Sequence, residues 1–183
     1  MPRAVIDPAG FEAKFQENID PWDYATSRFE AYKRRILRRA CGTRLYGRTL
    51  ELACATGDTT MALLPKSLRL LAQDSAPTAI EETRRRLGGN PMLSIILGRL
   101  PHEMPRGPFD LIVASEIFYY LPPNDLRLLL RRIGRALAPG GRLVILHHLK
   151  DFDDAAIRPR MAQEQAFAAA RPPMRLAYLH QTD

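Results

Sequence analysis

Glu51-Leu52-Ala53-Cys54-Ala55-Thr56-Gly57 is the stretch on which the fold turns. It closes an apolar, strand-like run over residues 49–54 and passes through small side chains to Asp58-Thr59-Thr60, a helix N-cap ahead of Met61-Ala62-Leu63-Leu64. Asp74 follows 17 residues after Gly57, at the end of a second apolar run over 68–73. In open α/β sheets ligands bind beyond the carboxyl ends of the strands, where an acidic side chain can hold a ribose diol. The arrangement is that of a nucleoside site.

The same alternation continues outward. Pro77 opens a helix over 78–87 that Gly88-Gly89 ends, and residues 92–97 form a third strand. Residues 100–108 hold too many prolines to be regular, and Phe109–Ala114 is a fourth strand whose apolar run, Leu111 to Ala114, implies burial on both faces. A helix over 125–137, a turn at Pro139-Gly140-Gly141, a fifth strand over 142–147, a helix over 155–170 and an apolar run over 174–179 complete the pattern. Short strands alternating with amphipathic helices predict an α/β domain with a parallel, doubly wound sheet. Residues 1–45 form a preamble, a cap whose basic amphipathic helix, Ser27 to Cys41, sets Phe29, Tyr32, Ile36, Leu37 and Ala40 on the face that packs against a domain over 46–183.

Composition narrows the class. With 183 residues, 46% hydrophobic and 26% charged, the chain is one globular domain rather than a disordered or fibrous one. No apolar stretch reaches the roughly 20 residues of a membrane span, and the N-terminus lacks an apolar core with a cleavage site, so a cytoplasmic location is expected. Cys41 and Cys54 make neither a disulfide framework nor a zinc cluster, and both are expected reduced. The net charge is +7, and all but four of the 27 basic residues are arginine. The runs around Lys33-Arg34-Arg35 and Arg84-Arg85-Arg86 are better read as solvated helix faces than as a nucleic-acid surface.

The ligand can be argued from charge and fit. A dinucleotide loop would need glycine at 53, 55 and 58, where Ala53, Ala55 and Asp58 stand, and Asp58 at a helix start would repel a pyrophosphate. A GxxxxGK[ST] phosphate loop is absent. S-adenosylmethionine has no phosphate and carries an ammonium and a sulfonium, which suits a loop flanked by Glu51 and Asp58.

At these residues the chain resembles the class I S-adenosylmethionine-dependent methyltransferases, whose first motif, acidic-x-Gly-x-Gly-x-Gly, stands here as Glu51-x-Ala53-x-Ala55-x-Gly57. Asp74-Ser75 is similar to the ribose-binding motif, Phe109–Val113 to the fourth strand, and Leu137-Ala138-Pro139-Gly140-Gly141 to the turn before the fifth. Within that class, Asn18–Trp22, Ser27, Glu30 and Lys33, together with Ala114–Leu121, resemble the NodS-like nodulation group. The resemblance implies a Rossmann-like sheet in the order 3-2-1-4-5 followed by a C-terminal strand. Because little chain remains after Leu179, the last strand of the fold is expected to be missing.

It also implies the site. S-adenosylmethionine is the implied cofactor, with Asp74 and Ser75 at the ribose hydroxyls and the loop residues Glu51, Ala53, Cys54 and Gly57 at the methionine end. Arg99 and Leu100 fall at the adenine edge, where the family commonly has an acidic residue. Trp22 lies over the cofactor, and Ser115-Glu116 mark the boundary with the acceptor. The group N-methylates a glucosamine amine of a chitooligosaccharide, so a small-molecule or oligosaccharide acceptor is implied and a membrane is not.

An amine must lose its proton before it can attack a methyl carbon, and alignment supplies much of the remaining acceleration. Glu116, Tyr119, Tyr120 and His147 come from the ends of strands four and five, where they could orient the acceptor or take that proton, and spacing alone does not choose among them. Tyr119 and Tyr120 are expected to point apart, with at most one facing the site. His147 and His148 alternate across a strand, which argues against a shared metal site. Two other readings stay open: an RNA or ribosomal methyltransferase using the arginine faces, and a noncatalytic nucleoside-binding module.

Overall fold

The structure is a computed structural model, and it describes residues 6–170. Five parallel strands, β1 (Tyr46–Leu52), β2 (Ser67–Asp74), β3 (Leu93–Leu97), β4 (Phe109–Ser115) and β5 (Leu137–Leu146), form one sheet in the order β3-β2-β1-β4-β5. The order reverses between β1 and β4, which places the crevice of an open α/β sheet beside the loop after β1. Six α-helices accompany it among the described residues: α1 (Pro8–Glu17), α2 (Arg28–Ala40), α3 (Asp58–Leu63), α4 (Pro77–Leu87), α5 (Pro123–Ala136) and α6 (Pro159–Ala169).

Strand alternation divides the core. Leu50, Leu52, Ile112 and Ala114 face α5 and α6, packing with Leu126, Leu129, Ile133, Ala162 and Ala166. Leu70, Leu111, Val113 and Val144 face the other way and pack with Leu37 of α2 and Leu63 of α3. Burial of both faces explains the apolar run Leu111–Ala114 in β4.

The helix N-termini follow local chemistry. Asp7 caps α1 by accepting the Gly10 N–H at 2.8 Å, with Pro8 at the first position, and Ser27 caps α2 through the Glu30 N–H. Helix α1 was not anticipated, although its Asp-Pro start is a signal present in the sequence. It docks where Glu12 accepts the Thr78 N–H at 3.1 Å and the Thr78 hydroxyl at 2.6 Å, at the start of α4.

Three expectations need correction. Strand β5 begins at Leu137, and Pro139-Gly140-Gly141 lies within it: Phe109 pairs with Leu137 and Leu111 with Arg142, so the extra residues bulge instead of forming a separate turn. The helix expected over 155–170 starts at Pro159, because the residue before a proline is held in extended backbone, as Arg158 is at φ −58° and ψ 133°. Phe29 is 57% exposed rather than packed on the domain, and Ile36 and Leu37 carry the buried face of α2. The apolar run 174–179 lies outside the described residues.

Candidate active site

The loop after β1 turns on left-handed backbone at alternate residues: Ala53 has φ 57°, Ala55 48° and Gly57 89°. These are the three positions of the Gly-x-Gly-x-Gly pattern, so the loop keeps that path with alanine at two of them. Its partners explain how. The Ala55 N–H donates to Asp74 Oδ2 at 2.9 Å, the Cys54 N–H to the Gln73 carbonyl at 3.0 Å, and the Thr83 hydroxyl to the Ala55 carbonyl at 2.8 Å. Arg86 donates to the Thr56 carbonyl at 2.6 Å and grips Asp58 through two bonds of 2.8 and 3.0 Å. The charge of Asp58 is therefore already paired.

A cavity of about 670 Å³ opens from this loop across the carboxyl ends of the strands. Of the residues picked out by sequence, Trp22, Ala53, Asp74, Ser75, Arg99, Leu100, Ser115, Glu116 and Tyr120 line it. Four others do not. Glu51 is buried beneath the loop against the Thr60 hydroxyl, 2.6 Å away, and Gly57 is the N-cap of α3. Cys54 borders a smaller adjoining recess of about 40 Å³, and His147 is turned toward α6. Tyr119 and Tyr120 both line the cavity, against expectation, because they sit on a 3₁₀ turn (Phe118–Tyr120) rather than a strand; their rings meet at 4.7 Å.

The walls divide the cavity by chemistry. At the β1–β2 end the buried Asp74 carboxyl lines the cavity, with the Glu51 carboxyl buried beneath the loop. Burial pushes the Glu51 carboxyl up to about 8. It also raises Asp74, against the pull of backbone N–H bonds from Ala76, Ala55 and Ser75. Beside Gly98 the buried Gln73 donates its amide to the Glu103 carbonyl at 2.9 Å, and its own Oε1 has no partner among the described residues. An unmet buried acceptor is costly unless a ligand meets it.

At the β4–β5 end the walls are aromatic. Phe11 of α1 meets Tyr120 edge-on at 4.8 Å, and Phe152 stands against Tyr119 at 5.1 Å and Tyr120 at 5.7 Å. Trp22 packs with Phe15 and Tyr24, and its ring lies 6.3 Å from that of Phe11.

Between the two ends lies a charge network that sequence reasoning did not assemble. Lys33 of α2 donates to Glu30 at 2.8 Å and to Glu116 Oε1 at 2.7 Å, across 83 residues of chain. Glu116, at φ 56°, takes the Tyr119 hydroxyl at 2.5 Å and both the N–H and the Nδ1 of His148 at 3.1 Å on its other oxygen. Burial opposes its ionisation, but His148, Lys33 and Tyr119 outweigh that and hold it at about 2. His147 differs: burial lowers it to about 4, its Nδ1 meets Gln163 Oε1 at 2.8 Å, and its Nε2 accepts the Phe118 N–H at 3.4 Å.

An S-adenosyl cofactor fits these residues. The left-handed loop opens backbone toward the cavity, the Asp74 carboxyl in the cavity wall suits a ribose, and Gln73 Oε1 suits an amino group. No group of three or more His, Cys, Asp or Glu placed to hold a metal ion occurs among the described residues, and none of the helices described is long and apolar enough to cross a membrane.

Comparison with known proteins agrees with this geometry. The family described as "Methyltransferase domain" matches residues 50–143. Nodulation protein S of Rhizobium tropici is 34% identical over 127 residues, 68% of this chain and 53% of that protein. Trans-aconitate 2-methyltransferase of Methylobacterium nodulans is 32% identical over 126 residues, covering 67% of this chain and 46% of that one. The matches thus span about half the length of these relatives. The crystal structure of the N-methyltransferase NodS from Bradyrhizobium japonicum WM9 in complex with S-adenosyl-L-homocysteine superposes with a TM-score of 0.68 at 29% identity, over 73% of this chain and 71% of that one.

Proposed function

The chain belongs to the class I S-adenosylmethionine-dependent methyltransferases, and from that premise we propose that it N-methylates an amine on a small molecule or oligosaccharide, an amino sugar above all. The observation that carries the reading is the aromatic end of the cavity. Phe11, Tyr120 and Phe152 offer ring faces and edges of the kind on which a sugar's C–H face rests, beyond the carboxylate end that the cofactor occupies. The likeness to a nodulation protein named as an N-methyltransferase supports methylation at nitrogen.

In this reading Asp74 and Ser75 take the ribose hydroxyls, Ala53 and its neighbours the methionine end, and Leu100 with Gln73 the adenine edge. S-adenosylmethionine supplies an electrophilic methyl group on a sulfonium. Residues 1–45 act as a cap: Trp22, Phe11 and Phe15 exclude water, and Lys33 ties α2 to the end of β4. Buried alignment of this kind lets positioning do much of the work of a displacement.

The test is incubation with S-adenosylmethionine and a chitooligosaccharide carrying a free amine at its non-reducing end, read by mass spectrometry. Addition of one methyl at that amine supports the reading. An unmodified sugar, with the protein folded and binding S-adenosylhomocysteine, refutes it. An RNA acceptor is disfavoured by the arginines themselves: Arg84 donates to the Ile95 carbonyl, Arg85 pairs with Glu82 and Arg86 with Asp58.

A further inference from the structure

We infer that His148, oriented by Glu116, takes the proton of the acceptor amine on its Nε2. The inference rests on the amine reading above. Of the candidates near the ends of β4 and β5, Tyr119 already donates its hydroxyl to Glu116, and geometry separates Glu116, His147 and His148. Glu116 has both oxygens committed, one to Lys33 and the other to Tyr119 and His148. His147 has a partner at each ring nitrogen and lies outside the cavity. His148 lines the cavity with its side chain 32% exposed, and its only hydrogen bonds among the described residues are on the Nδ1 edge and the backbone.

That edge is fixed firmly. Nδ1 lies 3.1 Å from Glu116 Oε2, and since the carboxylate can only accept, the ring proton sits on Nδ1. Tyr119 stands 3.3 Å from the same nitrogen and is itself a donor to Glu116. Aromatic neighbours hold the ring plane, with Tyr119 at 5.1 Å and Phe152 at 5.0 Å between centroids. The lone pair on Nε2, at the far side of the ring, is left for a ligand. Other charged and titratable groups face this ring from α2 (Lys33 and Glu30) and from the 3₁₀ turn (Tyr119 and Tyr120).

The step balances simply. The N–H bond of the ammonium breaks with its electron pair staying on nitrogen, and the proton bonds to His148 Nε2. The neutral amine then has the lone pair that methyl transfer needs, and the imidazolium returns its proton to water through the exposed edge. Glu116 touches neither acceptor nor cofactor in this scheme. It is a positioning residue, setting the tautomer and balancing the charge on the ring.

The experiment has two arms. Long-range ¹H–¹⁵N spectra of the protein loaded with S-adenosylhomocysteine report the tautomer of His148, assigned among the four histidines by its loss in His148→Asn. Neutral His148 is expected as the Nδ1–H form in the wild type, with that preference lost in Glu116→Gln. The second arm is the rate on the chitooligosaccharide amine. His148→Asn, which keeps a donor toward Glu116, is expected to lose about 10²- to 10⁴-fold in kcat near neutral pH with little change in KM. That loss should shrink as pH passes the amine's own pKa, because the acceptor then arrives neutral.

An Nε2–H tautomer in the wild type overturns the inference, and so does a rate loss that stays constant with pH or appears only in KM. Melting and S-adenosylhomocysteine binding confirm that the variant is folded, with His148→Gln as the replacement if it is not. A wild type that leaves the sugar unmethylated sinks the amino-sugar reading, and the tautomer result then decides the dyad separately.

Discussion

Replacing Ala53 with glycine should stabilise the protein, and replacing Ala55 should not. Both residues sit in left-handed backbone, at φ 57° and 48°. A side chain there costs about 1–2 kcal/mol, and glycine gives back about 0.5–1 kcal/mol through the greater freedom of its unfolded chain. At Ala53, half-buried and outside the apolar clusters, the balance is a gain of about 0.5–1 kcal/mol, or about 1–4 °C in Tm for a chain of this size. Ala55 packs against Phe15, Ala76 and Ala79, and losing much of a methyl's burial, up to about 0.8 kcal/mol, cancels the relief. Gly57→Ala supplies the opposite sign: at φ 89° its Cβ would come within 3.0 Å of Thr83 Cγ2 and 3.1 Å of Leu87 Cδ1, so a loss of at least about 1–2 kcal/mol is expected. Thermal and urea unfolding followed by circular dichroism measure all three. An Ala53→Gly variant that melts below the wild type, or no higher than Ala55→Gly, refutes the strain argument.

Other outcomes test the site. Glu116 is held down at about 2, against 4.5 for the free side chain, so its stabilisation is complete above pH 4.5 and is lost as pH falls toward 2. The stability deficit of Glu116→Gln in urea titrations should therefore narrow across that window, and a deficit that ignores pH would contradict the network. Glu51 has the reverse sign: raised to about 8, it costs stability progressively as pH climbs from 4.5 to 8, so Glu51→Gln, which can still bond Thr60, should gain on the wild type over that range. Trp22, the single tryptophan, borders the cavity, and its fluorescence should change on titration with S-adenosylhomocysteine; unchanged emission at saturation by calorimetry would place the ligand elsewhere.

Much of the fold was legible because its causes are local. The alternation of apolar runs with helix caps, Pro77 at a first turn and the apolar run Leu111–Ala114 in β4 each report a neighbourhood of a few residues. The bulge in β5 was not legible in this way. Pro139-Gly140-Gly141 has the composition of a turn, and only pairing with β4 decides that the chain stays in the sheet. The pair Tyr119 and Tyr120 misled for a related reason: alternation applies to strands, and the chain had already left β4 for a 3₁₀ turn.

The candidate site divides along the same line. The sequence by itself determined the α/β class, the loop over 51–57, Asp74 at the end of the second strand and the match to a methyltransferase pattern, all of which depend on residue type at fixed short spacing. Only the tertiary structure decided that Lys33 reaches Glu116, that Phe11 and Phe152 wall the aromatic end of the cavity, and that His148 faces the cavity while His147 turns away. The physical reason is separation. A hydrogen bond or ring contact between residues tens of positions apart depends on how helices dock on a sheet, and docking is set by the summed burial of many side chains rather than by any pattern a short window contains.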